Sequence, residues 1–147
     1  MKTLNYEIEI NAPIEKVWEM LWNQEKYAEW TQFFGSGSVM KSDWEINGKT
    51  YFLDKNGDGM VSTIKTLNPP FEVVFSHLGK IENGVEDIAS SAVEEWSGAE
   101  EKYFLRYVDQ NRTHIQAIVH TMHQYEDHMT IGFRKGFDLL KENAEQI

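Results

Sequence analysis

Tyr6-Glu7-Ile8-Glu9-Ile10-Asn11-Ala12-Pro13-Ile14-Glu15-Lys16-Val17-Trp18 changes its hydrophobic period partway along, and that change decides the fold. Leu4, Tyr6, Ile8 and Ile10 alternate with Asn5, Glu7 and Glu9, the period-two pattern of a strand with one buried face. Asn11-Ala12-Pro13 stops the strand, and the fixed φ of Pro13 pre-sets the first turn of a helix. Ile14, Val17, Trp18, Leu21 and Trp22 then recur at helical spacing. A second short helix is expected from Glu25 to Trp30, followed by a flexible break at Gly35-Ser36-Gly37-Ser38. The other end of the chain reads as one long amphipathic helix, Tyr125 to Glu145, with Met129, Phe133, Phe137, Leu140 and Ala144 as its apolar stripe.

Between these ends the sequence predicts mainly strands. They fall near Val39–Ile46, Thr50–Asp54, Met60–Leu67, Phe71–Leu78, Glu100–Val108 and Thr113–Met122. Asn47-Gly48 and Asn56-Gly57 are hairpin signals, and Asn68-Pro69-Pro70 is a turn because proline cannot donate to a central ladder. A two-residue turn at Asp109-Gln110-Asn111 would pair Leu105 with Gln116, and burial favours a three-residue turn instead. A three-residue turn places Val108 opposite Arg112 and puts Tyr103, Leu105 and Tyr107 on one face with Ile115, Ala117 and Val119. That turn expects Asn111 in the left-handed region. The expected fold is α+β: about seven antiparallel strands in a curved sheet wrapped around the last helix, with two short helices after the first strand, as a single domain over residues 1–147.

Composition narrows the function. The 147 residues include no cysteine, which excludes disulfides, thiol catalysis and cysteine-ligated zinc and fits a reducing compartment. A formal net charge of -10 argues against nucleic acid and anionic membranes as partners. No run of apolar residues is long enough for a membrane span. The opening Met1-Lys2-Thr3-Leu4-Asn5 has no apolar targeting segment, so a cytoplasmic protein is expected. Aromatics make up 13% of the chain and five of them are tryptophan, enough to pack a core or line a pocket.

Several features ask for a reason. Gly132 and Gly136 lie on or beside the apolar face of the last helix, where each glycine costs about 1 kcal/mol relative to alanine. They signal either close approach of that helix to the sheet or volume left open for a ligand. Gly79–Gly98 is too long for a hairpin turn and carries Glu82, Glu86, Asp87, Glu94 and Glu95, so it reads as a mobile lid or a short extra helix on the rim. Asp54-Lys55-Asn56-Gly57-Asp58-Gly59 starts like a calcium loop, but the position for the bidentate acid holds Lys65, so a hairpin turn explains it better. His77, His114, His120, His123 and His128 show no metal-ligand spacing, and no metal or cofactor is expected.

The order strand, two helices, six strands, long helix, together with Asn11-Ala12-Pro13, Val17-Trp18 and Gly132-Phe133 through Gly136-Phe137-Asp138-Leu139-Leu140, resembles the helix-grip superfamily. That superfamily includes the birch-pollen allergen and the START lipid-transfer domains. Within it the chain is most similar to the bacterial branch named after the ATPase activator of the ninety-kilodalton heat-shock chaperone. The resemblance implies an elongated hydrophobic cavity between sheet and helix, holding a lipid, polyketide, hormone or aromatic metabolite. His77 stands where the branch has an aromatic, and the acidic segment Glu82–Glu95 is longer than a plain connection.

On that frame the expected ligand-binding residues are Trp30 and Phe33 at an entrance, Trp44, Phe52, Phe75, Trp96 and Tyr103 on the sheet wall, Met129 and Phe133 on the helix, and His77 near the mouth. The aromatics after the first helix have two readings: Trp22, Trp30, Phe33 and Phe34 as core packing, or Trp30, Phe33 and Phe34 lining the entrance beside the glycine-rich break. A buried imidazole at position 77 needs a partner, and Glu94, Tyr103 or a ligand group is expected to supply it. No catalytic residue is assigned. The leading expectation is a non-enzymatic binder of a small hydrophobic or aromatic molecule. A protein-interaction module using the acidic region 82–101, as in a chaperone cofactor, is the second, and an enzyme acting on an aromatic or polyketide substrate is the third.

Overall fold

The computed structural model describes residues 1–146. β1 (Lys2–Ile10) leads through Pro13 into α1 (Ile14–Trp22) and α2 (Gln24–Trp30). Asn23 separates the two helices and caps the second, its Oδ1 accepting from the backbone amides of Glu25 and Lys26. Then follow β2 (Val39–Ser42), β3 (Thr50–Leu53), β4 (Gly59–Asn68), β5 (Glu72–Glu82), β6 (Val85–Asp87), α3 (Ser91–Glu94), β7 (Glu100–Asp109), β8 (Arg112–Thr121) and α4 (Glu126–Glu145). All strands join one antiparallel sheet in the order β1-β8-β7-β5-β4-β3-β2, with β6 added beside β5. The α+β helix-grip arrangement is therefore as the sequence predicts. Among the described residues no helix is long and apolar enough to cross a membrane.

Three local expectations are corrected. The strand expected over Val39–Ile46 stops at Ser42, because Trp44 and Asn47 take left-handed backbone angles (φ 54° and 66°). Ile46 keeps only an isolated bridge to Ile64. Ser42 stabilises the break by accepting from the Trp44 amide at 3.0 Å. The result turns the Trp44 ring onto Trp18, Trp22 and Phe75.

The stretch Gly79–Gly98 is neither a lid nor a helix alone. β5 runs on to Glu82, turns at Asn83-Gly84 (φ 52° and 77°) and returns as β6, and the one-turn α3 follows behind its Ser90 cap. Asn-Gly is a tight-hairpin pair, and the surrounding acids hid it.

The β7–β8 register is as expected, with Tyr103 opposite Ala117 and Leu105 opposite Ile115. The turn itself differs. Asp109 pairs with Arg112, so only two residues turn the chain and the surplus residue forms a bulge at Val108. Asn111 is not left-handed. The Asp109 carboxylate accepts from the Asn111 amide and the Arg112 guanidinium, which closes the turn by side-chain hydrogen bonds instead. Tyr107 is half exposed, beyond the edge of the buried face.

α4 packs chiefly on α1, α2, the 3-10 turn Thr31–Phe33 and β1. The two helix glycines explain this. A Cβ on Gly136 would lie 2.4 Å from the Trp30 carbonyl oxygen, and one on Gly132 would lie 2.4 Å from the Phe34 ring. They permit close approach as one reading held, but to the second short helix and the turn after it, not to the sheet. They leave no open volume.

Candidate ligand-binding site

An aromatic cluster fills one end of the space between sheet and helix. Trp22 stands edge-on to Tyr103 (5.0 Å between centroids) and Phe75 (5.6 Å), and Trp30 contacts Phe133 and Phe137. Trp30 is 1% exposed and its indole N–H donates to the Leu21 carbonyl at 3.0 Å. Ring-on-ring packing of this kind leaves no room for a ligand. The elongated cavity implied by the helix-grip resemblance is thus closed at this end.

The other end is open. A cleft of about 300 Å³ is walled by Tyr27, Trp30, Phe34, Phe52, Tyr103 and Phe133. A second, of about 320 Å³, lies beside it between His77, Trp96, Met122 and Tyr125. Met60, Glu101 and Met129 border both. The two clefts therefore meet along a partition made of two flexible thioether chains and one carboxylate. Methionine has three rotatable bonds and adapts readily to what it touches.

Three neighbouring strands assemble the polar group at this partition. A register shift after Val61 places Ser62 opposite His77, across β4 and β5. Phe75 pairs with Glu101 across β5 and β7, and the His77 amide donates to the Ala99 carbonyl at 2.8 Å, so the His77 ring reaches toward Glu101. The Ser62 hydroxyl lies 2.6 Å from His77 Nδ1, and His77 Nε2 lies 3.3 Å from Glu101 Oε1. The Tyr103 hydroxyl donates to the other carboxylate oxygen. When Ser62 donates to Nδ1, a neutral imidazole donates from Nε2 to Glu101, and all three groups are satisfied.

Ser62, His77 and Glu101 superficially match a hydrolytic relay. Ser62, however, is completely buried and borders neither cleft, so no substrate carbonyl reaches it. What the arrangement presents to a guest is the Glu101 carboxylate, held from behind by His77 and from the side by Tyr103. Burial, and then the negative charge of Glu101, push the Tyr27 and Tyr103 hydroxyls far above the ordinary tyrosine range. Both remain protonated donors at every physiological pH.

Of the residues expected to bind ligand, Trp30, Phe52, Tyr103, Met129 and Phe133 border the first cleft. His77, Trp96 and Met129 border the second. Three lie elsewhere. Phe33 is half-buried outside both clefts, whereas Phe34, read with it at the entrance, does border the first. Trp44 and the fully buried Phe75 belong to the aromatic cluster, since the left-handed turn at Trp44 swings its ring inward against Phe75. The partner of His77 is Ser62 and Glu101, not Glu94 or Tyr103.

Sequence reading missed Tyr27, Met60, Ser62 and Glu101. For Glu101 a signal existed. It alternates with Tyr103 and Leu105 on the buried face of β7, and a carboxylate there breaks the apolar pattern. Its membership of the acidic region 82–101 concealed this. That region is not one charged surface. Lys49 pairs with Glu86, and Lys65 and Lys102 pair with Glu100. Asp87 accepts from the amides of Ala89 and Ser90, and Glu101 turns inward. The calcium-like loop is the β3–β4 turn. The Asp54 carboxylate accepts from the Asn56 and Asp58 amides, and Asp58 accepts from the Asn83 amide.

The family model described as Activator of Hsp90 ATPase homolog 1-like protein matches residues 11–143. No curated protein matches the sequence. Among solved structures the chain is similar to the Aha1 dimer from Colwellia psychrerythraea, with 20% identity over 99% of this chain and 97% of that one and a TM-score of 0.70. It is also similar to protein CV1439 from Chromobacterium violaceum (14% identity, all of both chains, TM-score 0.68). CalU16 from Micromonospora echinospora shares 15% identity over 97% of this chain and 76% of that one, with a TM-score of 0.65. At these identities the likeness speaks for the fold alone.

Proposed function

This chain belongs to the family of Activator of Hsp90 ATPase homolog 1-like proteins, and from that premise we propose that it is a non-enzymatic receptor for a small, largely apolar molecule held across the two clefts. One observation carries the reading. Two clefts of ligand size, walled by aromatic and thioether side chains, converge on a single oriented carboxylate. Apolar walls with a few fixed polar groups are the usual make-up of small-molecule sites. The absence of cysteine fits a reducing, cytoplasmic setting for this binding.

A neutral aromatic probe, N-phenyl-1-naphthylamine, tests the site. Binding should shift the Met60 and Met129 methyl resonances. Met129→Trp, which fills the partition, should abolish binding with little change in melting temperature. Shifts confined to residues away from Met60 and Met129, or undiminished binding to the Trp variant, would reject the proposal.

A protein-partner role is the second reading. Val85 and Ile88 are 68% and 57% exposed on either side of the Glu86–Asp87 pair, and Lys49 neutralises Glu86. Partner capture by the wild type that is lost in Val85→Ser/Ile88→Ser, with probe binding intact, would favour this reading.

A further inference from the structure

We infer that the ligand is a cation, a protonated or quaternary amine on a hydrophobic body, with its charged head in the first cleft against Glu101. The inference rests on the cleft-binding reading above and narrows its ligand class.

Charge is the first ground. Glu101, Asp54 and Asp58 all border the first cleft, and among the described residues no lysine or arginine borders either cleft. In the first cleft a fatty-acid carboxylate or a lipid phosphate would find no lysine or arginine, only the His128 imidazole, and would face the carboxylates of Asp54, Asp58 and Glu101. Desolvating an unpaired anion there is costly.

The wall is the second ground. Tyr27, Trp30, Phe34, Phe52, Tyr103 and Phe133 surround the space in front of that carboxylate. Aromatic faces attract a cation within about 6 Å of the ring centroid, and the attraction grows when water is excluded. A carboxylate backed by aromatic rings suits an ammonium head, whereas a neutral hydroxyl would use only one of these features.

Tyr27 is an independent ground. It is 8% exposed, borders the first cleft and lies close enough to Glu101 to feel its charge. Its hydroxyl makes no hydrogen bond to another described residue and is not occluded from solvent, and the residue borders the first cleft. A guest in the cleft can take the place of water at that hydroxyl. Its oxygen can accept from an ammonium N–H while Glu101 supplies the charge.

Three probes with one body and different heads test this: 4-phenylbutylamine, 4-phenylbutanol and 4-phenylbutyrate, titrated by calorimetry with methyl shifts at Met60 and Met129 locating the site. The amine should bind at least tenfold more tightly than the alcohol, the carboxylate should not bind, and added salt should weaken only the amine. Glu101→Gln should bring the amine to within about twofold of the alcohol while the alcohol keeps its affinity. That retained affinity also shows the variant is folded. Tyr27→Phe should weaken the amine by several-fold. If the alcohol or the carboxylate binds as tightly as the amine, the cation inference falls and the cleft-binding reading stands. If N-phenyl-1-naphthylamine and all three probes leave the cleft resonances unmoved, both fall. Amine preference unchanged in Glu101→Gln would overturn the role given to that carboxylate.

Discussion

The two ends of the space beneath α4 have the same sheet and the same helix, yet one is solid and the other hollow. At the closed end α1 and α2 deliver Trp22, Tyr27 and Trp30; Trp22 and Trp30 pack edge-to-face on Tyr103, Trp22 likewise on Phe75, and Trp30 tilts against Phe137. At the open end the facing residues are Met60, Met129 and Glu101, with nothing large enough to bridge them. The fold sets the separation of helix and sheet, and the side chains of the short helices decide how much of it remains. Tyr27, Trp30, Tyr103 and Phe133 stand at the boundary, packed in the core and also bordering the first cleft.

Emptying the closed end is the largest test of this contrast. Trp30→Ala removes a side chain that is 1% exposed together with its hydrogen bond to Leu21. A loss of about 3–5 kcal/mol in urea unfolding is expected. The first cleft should extend into the vacated space, so affinity for bulkier aromatic probes should rise. A loss below 1 kcal/mol would mean the cluster is not what holds that end shut.

The helix glycines sharpen the contrast. Gly136→Ala drives a methyl into the Trp30 carbonyl at 2.4 Å, which is backbone and cannot step aside. It should cost about 1–3 kcal/mol in chemical denaturation, despite alanine's better helix propensity. Gly132→Ala meets the half-buried Phe34 ring, which borders the first cleft and has room to turn. Its stability change should be smaller, but probe binding should fall because Phe34 moves into the cleft. Equal destabilisation by both would show that the open end is as rigid as the closed one.

Tyrosine titration reads the boundary with the least perturbation. Tyr27 and Tyr103 have raised values, through burial first and Glu101 second. In the unfolded chain they would ionise in the ordinary tyrosine range, so the unfolded state gives up these protons first. The stability they contribute is therefore complete below the ordinary value of 10 and declines as pH rises above it. Absorbance of tyrosinate should reveal two of the six tyrosines only when alkaline unfolding begins. Ionisation of all six in the folded protein would mean that water reaches the cluster.

Much of this was legible in the chain. The alternation of Leu4 to Ile10, the proline-started helix and the α4 stripe each fixed an element, because each is a local pattern read within a few turns. Leu105 opposite Ile115 followed from burial alone, although the turn joining them closes on Asp109 rather than on Asn111. The site was legible in part. Trp30, Phe52, His77, Trp96, Tyr103, Met129 and Phe133 do border the clefts, because large apolar residues on inward faces must meet somewhere inside. Trp44 and Phe75 carried the same signal but close the cluster instead. Composition and period cannot tell a residue that lines a space from one that fills it.

Local periodicity, proline and glycine placement, and the absence of cysteine determined the elements, their order and the exclusion of thiol chemistry. Those are properties of neighbouring residues and of composition. Only the tertiary structure brought Ser62, His77 and Glu101 side by side, since they come from three strands that are adjacent in the sheet and far apart in the chain. Only the folded packing showed that Gly132 and Gly136 admit Phe34 and Trp30, leaving the empty volume farther along, beside the two methionines. Where a void lies depends on the sum of all the side chains that meet there, and no stretch of sequence holds that sum.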